Sequence, residues 1–404
     1  MKLRRNFLII FILVFSLVGC QNLRNNEETQ NETNIGETSE ETVKEDNTVD
    51  EEGTKEEIHR ANMKFIGDIL PHSNIFEYAK SRGNGEYNFD YNFELIREFT
   101  RNSDLVIANN EFSVNPEYPP SGYPQFVIPE EIYKSLKDIG VDIMTTANNH
   151  ALDSYIDGLH YTMDAIREHG MDNLGTQKNG EDHYLMKDIN GIKVAILAYT
   201  GPTNGLDVIL DTPERLELLN RLDPEQIKVD IEDANSKGAE FVIVYPHWGI
   251  EYSSYPEQDE INLARNMIEW GADLVIGNHP HVIQPKETYK AEDGRDGLIY
   301  YSVGNLLSNQ TFETIEDYRV EHGLIVEVDI EKSSSDERAR IADEKYHVTW
   351  LGRRHDEYGI LNRVHLVDEF INNGPKSDMA TEQEISRMEI AKDMTDKTVN
   401  THIK

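Results

Sequence analysis

The sequence predicts an α/β fold built on a mixed sheet, and three observations carry that expectation. Apolar runs of strand length end in polar residues at five places along the 404-residue chain. Segments of helical period lie between them, and strands alternating with helices imply helices packed on a sheet. One Asn-Gly pair, Asn190-Gly191, separates two further strand-like runs. That pair signals a tight antiparallel hairpin, so the sheet mixes parallel and antiparallel pairing.

In chain order, the run 63–67 leads into Asp68, 105–108 into Asn109-Asn110-Glu111, and 143–147 into Asn148-Asn149-His150. The run 241–245 precedes His247, and 274–276 precedes Gly277-Asn278-His279. Each reads as a buried strand with polar residues at its carboxyl end. Helical periodicity covers 130–139, 155–169, 225–237 and 259–270, each beside a glycine able to end it. The hairpin joins 184–189 to 192–199, and later strands are predicted at 298–302, 323–329 and 347–351. One domain is drawn over 61–370, with no internal repeat, and the polar stretch 371–404 is expected to be a helix or a loose tail.

The amino terminus has a grammar of its own. Lys2, Arg4 and Arg5 precede an apolar run, 7–18, too short to span a bilayer, so residues 1–19 read as an export signal outside the fold. The run closes on Leu17-Val18-Gly19-Cys20, which resembles the lipobox of bacterial lipoproteins. That resemblance implies cleavage before Cys20 and a diacylglyceryl group on its thiol. The expected place is the extracytoplasmic face of the cell membrane, with the acyl chains as anchor. Cys20 is the only cysteine, so no intrachain disulfide can support the fold.

Residues 20–60 are expected to form a solvated tether. From 21 to 60 there are 13 acidic and 4 basic side chains and almost no large apolar residue, a composition that cannot bury enough surface to offset chain entropy. Taking the −9 of that stretch and the +3 of the leader from the total of −36 leaves −30 on residues 61–404. So acidic a domain excludes nucleic acid as a partner. It would also repel an anionic polymer at long range unless cations or a local basic groove intervene.

The polar residues at the strand ends are the candidates for chemistry, because sites in open α/β sheets form outside the carboxyl ends of strands. Taken singly each has a plain account: Asp68 as a turn or cap, Asn148-Asn149 as a loop, His247 beside Trp248 as a packed side chain. Taken together they are nitrogen and oxygen ligands converging from separate strands, which is what a two-metal hydrolytic site needs. His279-Pro280-His281 is the strongest element. In extended backbone, side chains two apart point the same way, so both imidazoles are expected to face one pocket. For Trp248, Tyr252 and Tyr255, packing and groove lining are both open.

Gly67-Asp68, Asn110-Glu111, Ala147-Asn148-Asn149-His150 with Asp153, His247-Trp248-Gly249 with Glu251, Gly277-Asn278-His279-Pro280-His281 and Ser302-Val303-Gly304-Asn305 together resemble the CapA-type capsule-synthesis proteins, associated with poly-γ-glutamate capsules. The resemblance covers roughly residues 61–310. That family in turn is similar to calcineurin-type metallophosphoesterases. The likeness implies an αββα sandwich around a dinuclear centre of divalent metal ions: manganese, zinc or iron. It makes Asp68, Glu111, Asn149, His247, His279 and His281 the implied ligands, with His247 and His279 on one ion and His281 on the other. Glu111 stands where those enzymes place a bridging aspartate, and His150 is the implied catalytic proton donor. Asp153, Glu251, Asn278 and Asn305 are the implied supports, Asp153 either orienting His150 or capping the following helix. Two departures stand out. The histidine expected two residues after the first aspartate is Leu70, with His72 the nearest substitute, and Glu111 is one methylene longer than aspartate.

Two functions are expected from this, beside the plainer reading of a degenerate site kept for stability, its polar residues hydrogen-bonded in a wet pocket. One is a metal-dependent surface hydrolase acting on a phosphoester or on the γ-linked polymer. The other is a non-enzymatic subunit that handles or exports poly-γ-glutamate beside membrane capsule-synthesis proteins, with metal bridging the carboxylates of protein and polymer.

Overall fold

The computed structural model describes residues 56–404; the export signal, Cys20 and the tether up to residue 55 lie outside the described residues. Four parallel strands open the first sheet: β1 (Ile58–Ile69), β2 (Leu105–Asn110), β3 (Ile143–Thr145) and β4 (Asp172–Leu174). The chain then builds a second sheet from β5 (Tyr184–Ile189), β6 (Ile192–Thr200), β7 (Phe241–His247), β8 (Leu274–Ile276), β9 (Lys286–Lys290) and β10 (Asp296–Tyr300), in the order β5-β6-β7-β8-β10-β9. It returns to the first through β11 (Asn305–Leu307), β12 (His322–Ser333), β13 (Arg340–Asp356) and β14 (Gly359–Leu366). The first sheet reads β14-β13-β12-β1-β2-β3-β4, with β11 against the end of β1.

Burial of period two explains the continuous apolar runs. Met63 and Phe65 of β1 and Leu105 and Ile107 of β2 share an inner layer with Val194, Ile196, Ile243 and Tyr245 of the second sheet. The alternate residues Ile66, Val106 and Ala108 pack under helices Ser73–Arg82 and Ile132–Asp138. Leu197, Val242 and Val244 pack under Pro224–Ser236 and Gln258–Glu269. Strands covered on both faces need apolar residues at consecutive positions, and the result is the αββα sandwich with two mixed sheets. The Asn190-Gly191 turn takes positive φ at both residues, 52° and 85°, as a two-residue hairpin of this hand requires.

The amino-terminal end differs from the boundary drawn on composition, and the stretch 371–404 takes the helical of its two alternatives and packs against the domain. β1 begins at Ile58, inside the stretch assigned to the tether, and His59 and Arg60 pair with Lys332 and Glu331. The stretch from 371 holds a helix, Glu382–Val399, that opens on a Thr381–Glu384 capping box and buries Met388, Ala391 and Val399 in the inner layer beside β13. No described helix is long and apolar enough to cross a membrane.

Candidate metal centre

β1, β2, β3, β7 and β8 bring their carboxyl ends to one edge of the sandwich. The alternation that turns Leu105 and Ile107 inward carries on to Asn109 and Glu111. Asn110 turns outward, its amide donating to Phe112 O and its oxygen accepting from Tyr133 Oη. Asp68 sits where β1 meets both β2 and β11, opposite Asn109 and Asn305. That crowding requires glycine next door: a Cβ on Gly67 would lie 1.9 Å from Gly304 O, and one on Gly277 would lie 1.9 Å from Tyr301 O.

Two clusters result. One ligand atom each from Glu111, His247 and His279 lie within 4.8 Å of one another, and so do one each from Asp68, Glu111 and His281. Glu111 belongs to both, with Oε1 3.7 Å from His247 Nε2 and 3.7 Å from His281 Nε2. His279 Nδ1 lies 3.1 Å from His247 Nε2, and Asn149 Oδ1 lies 2.9 Å from that same nitrogen, which puts the asparagine oxygen at the first cluster. Asp68 Oδ2 is 3.3 Å from His281 Nδ1 and accepts the backbone N–H of His279. Its Oδ1 accepts from Asn109 Nδ2 at 2.7 Å. Every one of these side chains is buried.

The electrostatics follow from that burial. Desolvation, then the nearby Asp68, pushes the Glu111 carboxyl well above its ordinary range. Desolvation, with the neighbouring imidazoles, pushes His247 well down and His279 down to about 3. These two histidines are therefore neutral and keep lone pairs. Neither Glu111 oxygen has a hydrogen-bond donor among the described residues, an arrangement that is costly without a partner. A divalent cation fits it: it favours the carboxylate form and takes the imidazole lone pairs. Nitrogen and oxygen donors without thiolate suit zinc, manganese or iron.

His279 and His281 do not reach the site from extended backbone, as the sequence suggested. Both are left-handed, at φ 99° and 58°, so the chain turns at each. One ring faces His247 at 4.7 Å between centroids, and the other meets Asp68 and Asn305. Such conformations cost of order 1–3 kcal/mol each in non-glycine residues and persist where the surroundings over-determine them. Here Asp68 holds the His279 N–H, while Asn278 is bonded through its backbone to Pro246 and Trp248.

The supports divide. Asp153 caps nothing: the helix Tyr155–Glu168 starts after Ser154, and Asp153 Oδ2 instead accepts from His150 Nδ1 at 2.7 Å and from Phe126 N–H at 2.6 Å. Asn305 Oδ1 lies 3.0 Å from His281 Nδ1. Asn278 spends its amide on Ile276 O, within its own turn. Glu251 is exposed and makes no hydrogen bond to a ligand among the described residues; it lies on the wall of an adjoining cavity of about 420 Å³. His72, Phe126, His150, Tyr252 and His281 line the same cavity, and among the described residues no lysine or arginine does. Trp248 is packing, its Nε1 donating to Tyr301 O, and Tyr255 accepts from Lys404 N, so of the three aromatics Tyr252 alone faces the cavity. His72 belongs to neither cluster. A larger cavity, about 700 Å³, opens at the other end of β7, β8 and β10, but its arginines are already paired with Asp273 and Glu331.

Fold and site together define an αββα sandwich with a candidate dinuclear centre at its strand ends. Among solved structures the chain is similar to the calcineurin-like phosphoesterase YfkN from Bacillus subtilis, with a TM-score of 0.41, 18% identity, and coverage of 72% of this chain and 91% of that one. Residues 62–310 match the family described as Bacterial capsule synthesis protein PGA_cap, and the chain belongs to that family. It is 30% identical over 272 residues to the capsule biosynthesis protein CapA of Bacillus anthracis, covering 64% of this chain and 63% of that one. It is 30% identical over 266 residues to the PGA biosynthesis protein CapA of Bacillus subtilis (strain 168), covering 63% and 65%. The match thus spans just under two thirds of the length of each of these relatives.

Proposed function

We propose that this protein serves the synthesis of a poly-γ-glutamate capsule, as a lipid-anchored hydrolase on the outer face of the cell membrane acting on the γ-linked polymer or on a phosphoester. Family membership and the names of the two Bacillus relatives support the setting. The basic start, the short apolar run and Cys20 support the anchor. The hydrolytic reading is carried by Glu111, buried, without a donor and shared by two histidine clusters beside a cavity that His150 lines.

Divalent cations, when bound, supply Lewis-acid activation of water and neutralise charge on an oxyanion. The chain's own residues supply the rest. Asp153 fixes Nδ1 of His150 as the protonated nitrogen, leaving Nε2 to exchange a proton with a group in the cavity. Asn109 and Asn305 hold Asp68 and His281 in place. With no lysine or arginine in the wall, an anionic group there depends on the metal centre for its counter-charge.

The second reading, a polymer-handling subunit without turnover, is favoured by Leu70 standing in place of a histidine. Divalent metal per chain, measured on the soluble form starting after Cys20, together with hydrolysis of γ-glutamyl polymers and phosphoesters, separates the two. About two metals, fewer in His279→Ala, with turnover lost in His150→Ala, is the result expected of the hydrolase. Two metals with polymer binding and no turnover moves the weight to the second reading. A folded, metal-free protein after dialysis against manganese or zinc sinks the hydrolase.

A further inference from the structure

We infer that His72 is a substrate-contact residue, presenting Nε2–H in the cavity wall as a fixed hydrogen-bond donor to an acceptor oxygen, whether carboxylate, carbonyl or phosphoryl, held at the metal centre. The ligand in this inference rests on the hydrolase reading; the state of the imidazole does not.

His72 immediately precedes helix Ser73–Arg82 but does not cap it with its side chain. Its ring packs edge-on against Phe126 at 5.0 Å, and Phe126 packs edge-on against His150 at 4.8 Å, so the three rings form one wall of the cavity. Two backbone groups compete for Nδ1: the N–H of Asn309 at 3.1 Å and the carbonyl of Leu70 at 3.0 Å. A backbone amide can only donate, and among the described residues Asn309 N–H has no acceptor besides Nδ1. Asn309 is half-buried, and where water is scarce an amide without an acceptor is rarer than an under-satisfied carbonyl. Nδ1 therefore carries the lone pair.

Burial pushes the imidazole down to about 4, so the ring is neutral at physiological pH and its single proton sits on Nε2. That atom has no hydrogen-bond partner among the described residues, and the residue lines the cavity beside His150 and His281. In a wall without lysine or arginine, a neutral donor is the complement an acceptor oxygen needs beside the cations. His72 is thus no stand-in for a metal ligand at Leu70; it faces the other side of the chemistry.

Two variants separate the ring nitrogens. His72→Asn keeps an acceptor for Asn309 N–H and loses the Nε2 donor, while His72→Gln keeps a donor near the Nε2 position and loses the acceptor. Inorganic phosphate and glutamate are titrated calorimetrically into the manganese-loaded chain starting after Cys20, with metal content measured for each variant. His72→Asn is expected to weaken both anions by about tenfold or more, His72→Gln by less, with metal content unchanged. In wild type, ¹⁵N NMR assigned by difference against His72→Asn is expected to show a bare Nδ1 and a protonated Nε2, with or without metal. A protonated Nδ1, or wild-type anion affinity in His72→Asn, overturns the inference. Failure of the wild type to bind metal strikes at the hydrolase reading instead, and the tautomer then decides the case for His72 by itself.

Discussion

Oε1 of Glu111 lies 3.7 Å from Nε2 of His281, and no donor among the described residues meets that carboxylate. Because Glu111 faces His247 at the same distance, its loss touches both clusters, whereas loss of His279 or His281 touches one. Metal analysis after exhaustive dialysis is expected to find about two divalent ions in wild type, about one in His279→Ala or His281→Ala, and close to none in Glu111→Ala. A Glu111→Ala protein that keeps two metals contradicts the shared role.

His150 and Asp153 make a separate unit, 2.7 Å apart, that need not hold metal. His150→Ala is expected to cost about 10²–10⁴-fold in kcat, the usual worth of a positioned proton donor, with metal content intact. Asp153→Asn weakens the contact that fixes the ring and is expected to lower kcat by less, again with metal content intact. Equal metal loss in either variant would reassign the pair to ligand support.

Two buried histidines outside the centre give the fold a pH dependence of known sign. Burial pushes His322 and His365 down to about 4, while in the unfolded chain they titrate near 6.5. The unfolded chain therefore takes up these protons first as pH falls. The stability they contribute is full above about pH 6.5 and is lost between about 6.5 and 4, each with a slope of at most about 1.4 kcal/mol per pH unit. Urea midpoints at pH 7.5 and 5 read this out. His365→Phe, between rings of Trp350 and Phe370 at 5.1 Å, should flatten the dependence, and an unchanged slope counts against the assignment.

Gly67→Ala and Gly277→Ala each place a methyl 1.9 Å from a backbone carbonyl oxygen of an adjoining segment. Neither neighbour is a flexible side chain, so the strand must move. A loss of roughly 3 kcal/mol or more is expected, visible as a large drop in melting temperature or as failure to accumulate soluble protein. Substitution of Gly294, where an added Cβ meets nothing within 4 Å despite φ of 93°, serves as the milder control.

Strands β1, β2, β6, β7 and β8 were legible because burial on both faces writes unbroken apolar runs into the sequence. β9, a half-exposed edge strand reading Lys-Glu-Thr-Tyr-Lys, and β4, of three residues, carry no such pattern. The residues of the two clusters were legible at the strand ends, and Asn109 could have been found by extending the alternation of Leu105 and Ile107 two positions. The left-handed turns at His279 and His281 could not, because tertiary contacts impose them on residues that do not favour them. Nor could the state of His72, which depends on an amide 237 residues away.

The segment that matches the family stops at residue 310, before β12 begins at His322. Yet β1, which delivers Asp68, takes its antiparallel neighbour from β12, in a register running from Ile58 opposite Ser333 to Ile66 opposite Ile325. A chain ended at 310 would carry every residue of the two clusters but leave that flank of β1 as an open edge with apolar faces on either side. Such an edge is a template for pairing with other chains, so a piece chosen for its motifs alone would self-associate. The stretches that carry the candidate site and the stretches that keep it from aggregating are written in different parts of the sequence.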